Sequence, residues 1–286
     1  MLANSTVKKD CTSMFSVKDM SADDIPFAVR LTNTMNWNMA EGDFEFMMEL
    51  EPKGCFVLLY NSERVGIVTT ISFGKIGWFG NLIISEEHRK KGAGSLLATH
   101  ALKYLKDNNV KTVGLYSYIE TVPFYERLGF ACNSYFIILK GKGFSSLTDS
   151  HIRAGAKADI QKIIDYDSSC LGFSRRKLLE PLLLYPDNLF YIYAENGEVL
   201  GYAIAKIYRG VAELGPLVCH HQRSEIAVNL LKATLNKLDG LEVFMCISEK
   251  QTALLNILKH HGFGEKFRVA RMFHGPPLDN DCICIA

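Results

Sequence analysis

The sequence predicts an α/β chain made of two copies of one fold, and three observations point there. Short apolar runs rich in aromatic and β-branched residues alternate with segments of helical periodicity. Residues 77–97, GWFGNLIISEEHRKKGAGSLL, read as a buried strand, a basic glycine turn and the start of a helix. Finally, short motifs recur at one offset of 135: Gly80-Asn81-Leu82-Ile83 as Gly215-Pro216-Leu217-Val218, Val65-Gly66 as Leu200-Gly201, and Asp24-Ile25 as Asp159-Ile160. Late in each copy the offset shrinks to 133, with Gly129-Phe130 set against Gly262-Phe263. A length of 286 residues suits two compact domains. The polar, Gly- and Ser-bearing stretch 141–150 divides them into 1–142 and 143–286.

The first copy reads in order. A strand over 15–19 leads to a helix capped by Ser21, with Asp23 and Asp24 in its first turn. A second helix starts at Asp43 and runs through Leu50. Residues 55–60 and 64–73 form a hairpin around Asn61-Ser62-Glu63. The strand 77–84 carries the apolar run Trp78-Phe79 and Leu82-Ile83-Ile84. In the helix that follows, to about Asp107, Gly94, Leu97, Ala98, Ala101 and Leu105 share one face, and Lys103 and Lys106 lie on another. Residues 110–118 are the next strand, 121–128 a helix and 130–140 the last strand.

Composition narrows the function. The formal net charge is +1, and the basic cluster at 88–91 is too short to track a nucleic-acid groove, so no nucleic-acid partner is expected. No apolar run approaches the ~20 residues that span a bilayer. The N-terminal MLANSTVKKDCTSM is polar and lacks an apolar signal core. Eight cysteines, at 11, 55, 132, 170, 219, 246, 282 and 284, contain no C-x-x-C pair. No structural metal is therefore expected, and the tail Cys282-Ile283-Cys284-Ile285-Ala286 is not a prenylation box. Reduced thiols in a cytoplasmic protein are the expectation.

The turn Arg89-Lys90-Lys91-Gly92-Ala93-Gly94 suits one task. Glycines let successive N–H groups converge, the helix start adds unbonded N–H groups and its positive dipole end, and three cations add charge. Such a turn cradles phosphate, although a tight turn of any α/β protein would also read this way. It is neither a Walker loop nor a G-x-G-x-x-G dinucleotide turn. Arg89, Gly92 and Gly94 match [QR]-x-x-G-x-[GA], and the segment resembles the acetyl-CoA pyrophosphate loop of the GNAT acyltransferase superfamily. Downstream, Phe124-Tyr125-Glu126-Arg127-Leu128-Gly129-Phe130 is similar to the signature that closes a GNAT core.

The resemblance implies two tandem GNAT folds, each with a mixed, mostly antiparallel central sheet flanked by helices. It also implies that the chain uses acetyl-CoA. The backbone of Leu82, Ile83 and Ile84 would run beside the pantetheine arm, one N–H polarising the thioester carbonyl. Arg89, Lys90, Lys91, Gly92, Ala93, Gly94 and Ser95 would hold the pyrophosphate, and Lys103 or Lys106 is a candidate for the 3′-phosphate. Tyr125 matches the family's general acid; the alternative is a packing aromatic on the Thr121, Tyr125, Leu128 face. Tyr118 and Thr121 fall in the implied cofactor-facing segment. Tyr118 stands where many members carry a pantetheine-bonding Asn, and Tyr116 shares its side of the strand. Trp37 and Asn38 resemble the acceptor-side element of tandem members, and core or capping roles account for them equally.

The second copy keeps the periodicity and loses the turn. His220-His221-Gln222-Arg223-Ser224-Glu225 has no glycine, Glu225 would repel phosphate, and Leu258 replaces Tyr125. This half resembles the degenerate C-terminal half of YitH-like tandem acetyltransferases, including the stretch around Arg175 and the ending Arg271-Met272-Phe273-His274-Gly275. Arg175 and Glu213 are its candidates for facing substrate. No built-in base is visible in 77–84, and Glu120 is a loop carboxylate near the cleft. The expected activity is acetyl transfer to a primary amine, with a small-molecule acceptor favoured because a covering second domain would enclose a pocket. The alternatives are a non-catalytic acyl-CoA sensor and a protein N-terminal or lysine acetyltransferase.

Overall fold

Residues 15–147, 149–278 and 282–285 are described by the structure, a computed structural model, the last four as backbone only. The polar segment 1–14 with Cys11, and the side chains of Cys282 and Cys284, lie outside the described residues. The chain divides into two compact units between Val113 and Gly114.

In the first unit, β1 (Phe15–Asp19), β2 (Cys55–Tyr60), β3 (Glu63–Phe73) and β4 (Ile76–Ile84) form an antiparallel meander in that order. Helices α1 (Ile25–Asn33) and α2 (Glu41–Leu50) cover one face and α3 (Ala93–Asp107) the other. Cys55 and Val57 join the core with Ala28, Leu31 and Phe44. Phe56, pointing the other way, meets His100 and Tyr104 of α3. A strand covered on both faces needs no polar alternation, which is why CFVLLY is apolar throughout. Two expected boundaries shift. Helix α2 starts at Glu41, because the Asp43 carboxylate accepts the Ala40 N–H at 2.7 Å from inside the first turn. The first helix opens as a 3₁₀ turn over Ala22–Asp24, in which Asp24 reaches back to the N–H and hydroxyl of Ser21, at 2.8 Å each, and α1 proper starts only at Ile25.

The second unit holds β5 (Thr112–Tyr118, straddling the division), α4 (Val122–Glu126) and β6 (Ala131–Lys142) from the first copy. The second copy supplies β7 (Ile152–Ala154), α5 (Ile160–Leu171), α6 (Arg176–Leu184), β8 (Leu189–Glu195), β9 (Glu198–Tyr208) and β10 (Val211–His220). It continues with α7 (Ser224–Lys237), β11 (Glu242–Ser248), α8 (Thr252–His260), β12 (Gly264–His274) and β13 (Cys282–Ile285). Strands β3 and β9 have equal length and lie 135 residues apart at both ends, as the repeat requires. The sheet order runs β5-β12-β6-β11-β13-β10-β9-β8-β7. Helices α7 and α8 cover one face of this sheet, and α5 and α6 the other.

That order contains an exchange. The first copy's last strand, β6, pairs antiparallel with β11, as Leu139 with Met245, and on its other edge with β12, as Leu139 with Glu265. The sister of β6 in the second copy, β12, takes the place beside β5. Ile137 and Leu139 accordingly lie in one core with Met245, Leu254 and Leu258 of the second copy. Sequence repeat and compact unit therefore do not share a boundary. The helix expected over 121–128 is shorter than its periodicity suggests: a 3₁₀ turn over Ile119–Thr121 leads into α4, which Pro123 opens and Gly129, at φ +87°, closes off. Strand β5 starts at Thr112, since the Val110 N–H is used by the Leu105 carbonyl at the end of α3. Among the described residues no helix is long and apolar enough to cross a membrane.

Candidate functional site

Strand β4 is interrupted where the site is expected. Thr69 pairs with Gly80 and Ile67 with Ile83, so Asn81 and Leu82 together stand opposite Val68. This β-bulge takes the extra residue's backbone groups out of the ladder and re-aims the strand. Asn81 adopts φ +52°, a conformation asparagine tolerates better than most residues. Its amide nitrogen donates to Thr69 Oγ1 at 3.0 Å and approaches Met47 Sδ at 3.1 Å. Leu82 is half-buried, while Ile83 and Ile84 are buried. Asn81 was not singled out in the sequence, although an Asn inside an apolar strand is a signal for such a bulge.

The turn that follows is built by backbone conformation. Arg89 Nε donates to the Ile84 carbonyl at 2.8 Å, tying the turn to the end of β4. Lys90 at φ +60° and Gly92 at φ +83° are both left-handed, and Gly92 is the residue before α3. Nothing lies within 4 Å of a Cβ built on Gly92, so glycine is required there by conformation rather than by space. No side chain caps α3 and its first turn carries no acidic residue. The N–H groups of Ala93, Gly94 and Ser95 have no intrahelical acceptor. Lys90, Lys91 and Ser95 are exposed around them, whereas Ala93 is buried against the sheet. A helix start without cap or acid, ringed by cations, fits a diphosphate. Lys103 is engaged with Asp107 at 2.5 Å on the exposed face, and Lys106 is exposed in the last turn. Trp37 packs half-buried on the core that contains Phe44, and Asn38, at φ +53°, is exposed.

The remaining candidates lie in the second unit. Tyr116 and Tyr118 share one side of β5, against Phe136 at 5.1 Å and Phe267 at 5.2 Å between ring centroids. Phe267 belongs to β12, so the second copy supplies part of the surroundings of Tyr118, which no local pattern announces. Thr121 closes the turn after β5: its hydroxyl donates to the Tyr118 carbonyl at 2.9 Å and sits 2.8 Å from Ser117 Oγ. Tyr125 is buried, in edge contact with Phe124 and Phe130, and burial pushes its phenol up to about 12. Glu120 is exposed.

At the sister turn of the second copy the charged side chains pair with one another. Arg223 precedes α7 and bonds Glu225 at 2.5 Å and Glu195 at 3.1 Å. The Arg223 side chain holds the Glu225 carboxyl below its ordinary value. Leu258, at the repeat position of Tyr125, is a fully buried core residue. Arg175 is bidentate to the buried Asp167, at 2.6 and 3.1 Å, with the Tyr202 hydroxyl on the same carboxylate at 2.5 Å. Glu213 pairs with Lys206 at 2.6 Å. The described residues contain no group of three His, Cys, Asp or Glu side chains placed to hold a metal, and none of their cysteines forms a disulfide.

Two family models match the chain: "Acetyltransferase (GNAT) family" over residues 24–130 and "Acetyltransferase (GNAT) domain" over residues 163–283. No curated protein matches it. Among solved structures, it is similar to a putative acetyltransferase from Pyrococcus horikoshii, at 20% identity and TM-score 0.78, covering 94% of this chain and 92% of that one. A GCN5-related N-acetyltransferase from Sphaerobacter thermophilus follows at 13% identity and TM-score 0.69, covering 93% and 98%. A tandem GNAT protein from the clavulanic acid biosynthesis pathway aligns at 12% identity and TM-score 0.63, covering 92% and 99%. At these identities the likeness is one of fold.

Proposed function

This chain belongs to the GNAT acetyltransferases, with two such domains in tandem, and on that premise we propose that it transfers an acetyl group from acetyl-CoA to the primary amine of a small molecule. We place the coenzyme site in the first domain, 1–142, and give the second, 143–286, the task of shaping the acceptor side. The observation that carries this reading is the first turn of α3, free of acid, whereas its sister α7, likewise uncapped, begins with an Arg223–Glu225 pair. A cytoplasmic setting suits the reduced thiols.

When bound, the coenzyme supplies an acyl group already activated as a thioester. The N–H groups of Ala93, Gly94 and Ser95, with Lys90 and Lys91, hold the diphosphate. The bulged backbone at Leu82 would offer a hydrogen bond to a thioester carbonyl placed beside it, where negative charge would develop on amine attack. An amine of ordinary pKa near 10.4 must first lose a proton, at about 4–5 kcal/mol at pH 7. Tyr125 remains a neutral phenol well above physiological pH, because its pKa of about 12 is set by burial. Giving its proton outright to a thiolate of ordinary pKa 8.5 is uphill by about 5 kcal/mol. Tyr125 therefore acts as a hydrogen-bond donor to the leaving sulfur, with solvent completing the protonation. Trp37 and the neighbouring Met39 and Met47 give the acceptor side an apolar floor.

Release of free thiol from acetyl-CoA, measured with a panel of small amines, tests the reading. Amine-dependent release that disappears in Gly92→Glu/Arg89→Ala is the expected result. Release that no amine stimulates, or coenzyme affinity untouched by that double change, overturns it.

A further inference from the structure

The bulge of β4 recurs in the second copy, displaced by one position from its sister site. Ala205 pairs with Leu214 and Ala203 with Leu217, so Gly215 and Pro216 stand opposite Ile204 alone. Around it the ladders superpose residue for residue: Ile67–Ile83 and Gly66–Ile84 become Tyr202–Val218 and Gly201–Cys219, each 135 positions on. Leu217, Val218 and Cys219 are thus the repeat partners of Leu82, Ile83 and Ile84.

Beyond its bulge, β10 parts from β11. The two pair in parallel only from Val211 with Glu242 to Glu213 with Phe244. Past that point a strand lies between them. It is β13, antiparallel to β10, with Leu217 opposite Ile285, Val218 opposite Cys284, Cys219 opposite Ile283 and His220 opposite Cys282. On its other edge Ile285 pairs with Ile247 of β11.

We propose that the second copy retains the slot of a cofactor arm as a strand-accepting groove between β10 and β11, and that the chain's own last strand, Cys282–Ile285, is its occupant. The sister relation rests on the assignment of Leu82–Ile84 to the pantetheine arm; the groove and its occupant stand on the pairing itself. Two features convert the site from a coenzyme to a peptide. The turn before α7 has lost its glycines and gained the Glu225 carboxylate, which Arg223 neutralises within the protein. An extended peptide needs no phosphate site. It is held by main-chain hydrogen bonds along the free edge of β10, the mode of a strand added to a sheet. Filling the groove also removes two unpaired strand edges that would otherwise invite association.

The test uses the full-length chain carrying Ile283→Pro and Cys284→Pro, which removes N–H donors from the strand without shortening it, together with a chain ending at residue 278. Amide hydrogen exchange at Leu217 and Cys219, whose N–H groups face β13, is expected to accelerate on the order of tenfold or more in both, while His220, whose N–H donates to the Tyr166 hydroxyl, serves as the internal control. The shortened chain should bind a synthetic peptide of residues 279–286, and the intact chain should not. Coenzyme binding should remain at one equivalent in every form, which also reports that the first domain is folded. Unchanged exchange at Leu217 and Cys219, no peptide binding by the shortened chain, or a second equivalent of coenzyme after shortening each overturns the proposal. Failure of the first-domain reading would appear elsewhere, as coenzyme binding indifferent to Gly92→Glu.

Discussion

Asp24 is fully buried and both its oxygens are used: Lys18 at 2.6 Å and Ser21 at 2.8 Å on one, Arg64 at 2.6 Å on the other. Burial opposes its ionisation, but these bonds together outweigh it and hold the carboxyl well below the ordinary range. Its repeat partner Asp159 is arranged alike. The Arg153 guanidinium grips both oxygens at 2.7 Å and, with the Ala156 N–H, outweighs burial to lower the carboxyl to about 2. A carboxylate with a depressed folded pKa stabilises above its unfolded value, about 3.9, and that contribution fades as pH falls toward the folded one. Asp159→Asn is therefore expected to cost about 1–2 kcal/mol at pH 7, discounted for the half-exposed Arg153. The gap from the parent should close between pH 4 and 2 in urea unfolding followed across that range. The two Asp-Ile pairs were legible as a repeat; their cationic partners, supplied by neighbouring strands, were not.

At the scale of elements, the end of β4 depends on how closely β3 approaches it. A Cβ on Gly66 would come within 2.5 Å of Ile84 Cδ1 and 2.9 Å of the Ile83 carbonyl oxygen. The methyl can rotate away and the carbonyl cannot. Gly66→Ala should therefore cost about 1–3 kcal/mol in denaturant unfolding and loosen coenzyme binding by displacing the strand that leads into the turn. Gly201 carries the same constraint against Ile226, Leu230 and Cys219. Helix α3, like its sister α7, starts without a side-chain cap, an interaction worth about 1 kcal/mol elsewhere, and differs from α7 in carrying no acidic residue in its first turn. A diphosphate bound there would supply the missing acceptors. The glycine turn and the face of α3 were readable because φ above zero and a 3.6-residue period each leave a mark in residue type. The bulge at Asn81 left only one polar residue in an apolar run, and α4 was overestimated because its periodicity runs on to Leu128, past Glu126 where the helix ends.

For the whole molecule, the exchange of last strands sets how the copies depend on each other. β6 finds both its neighbours, β11 and β12, in the second copy. A chain cut to 1–142 would leave β6 with two unpaired edges and expose Ile137 and Leu139. It should be insoluble or unfolded by circular dichroism when produced alone. Produced together with 143–286, it should recover a folded, coenzyme-binding complex. A soluble, folded 1–142 would show that β6 can return to the place beside β5. Local chemistry along the chain was enough to specify most elements, the doubling at 135 residues and the glycine turn before α3, because each depends on side chains or backbone preferences within a few positions. Which strand lies beside which was settled by folding alone. Main-chain hydrogen bonds are the same for every residue, so β12 beside β5 and β13 between β10 and β11 are choices made by cores and edges assembled from distant parts of the chain.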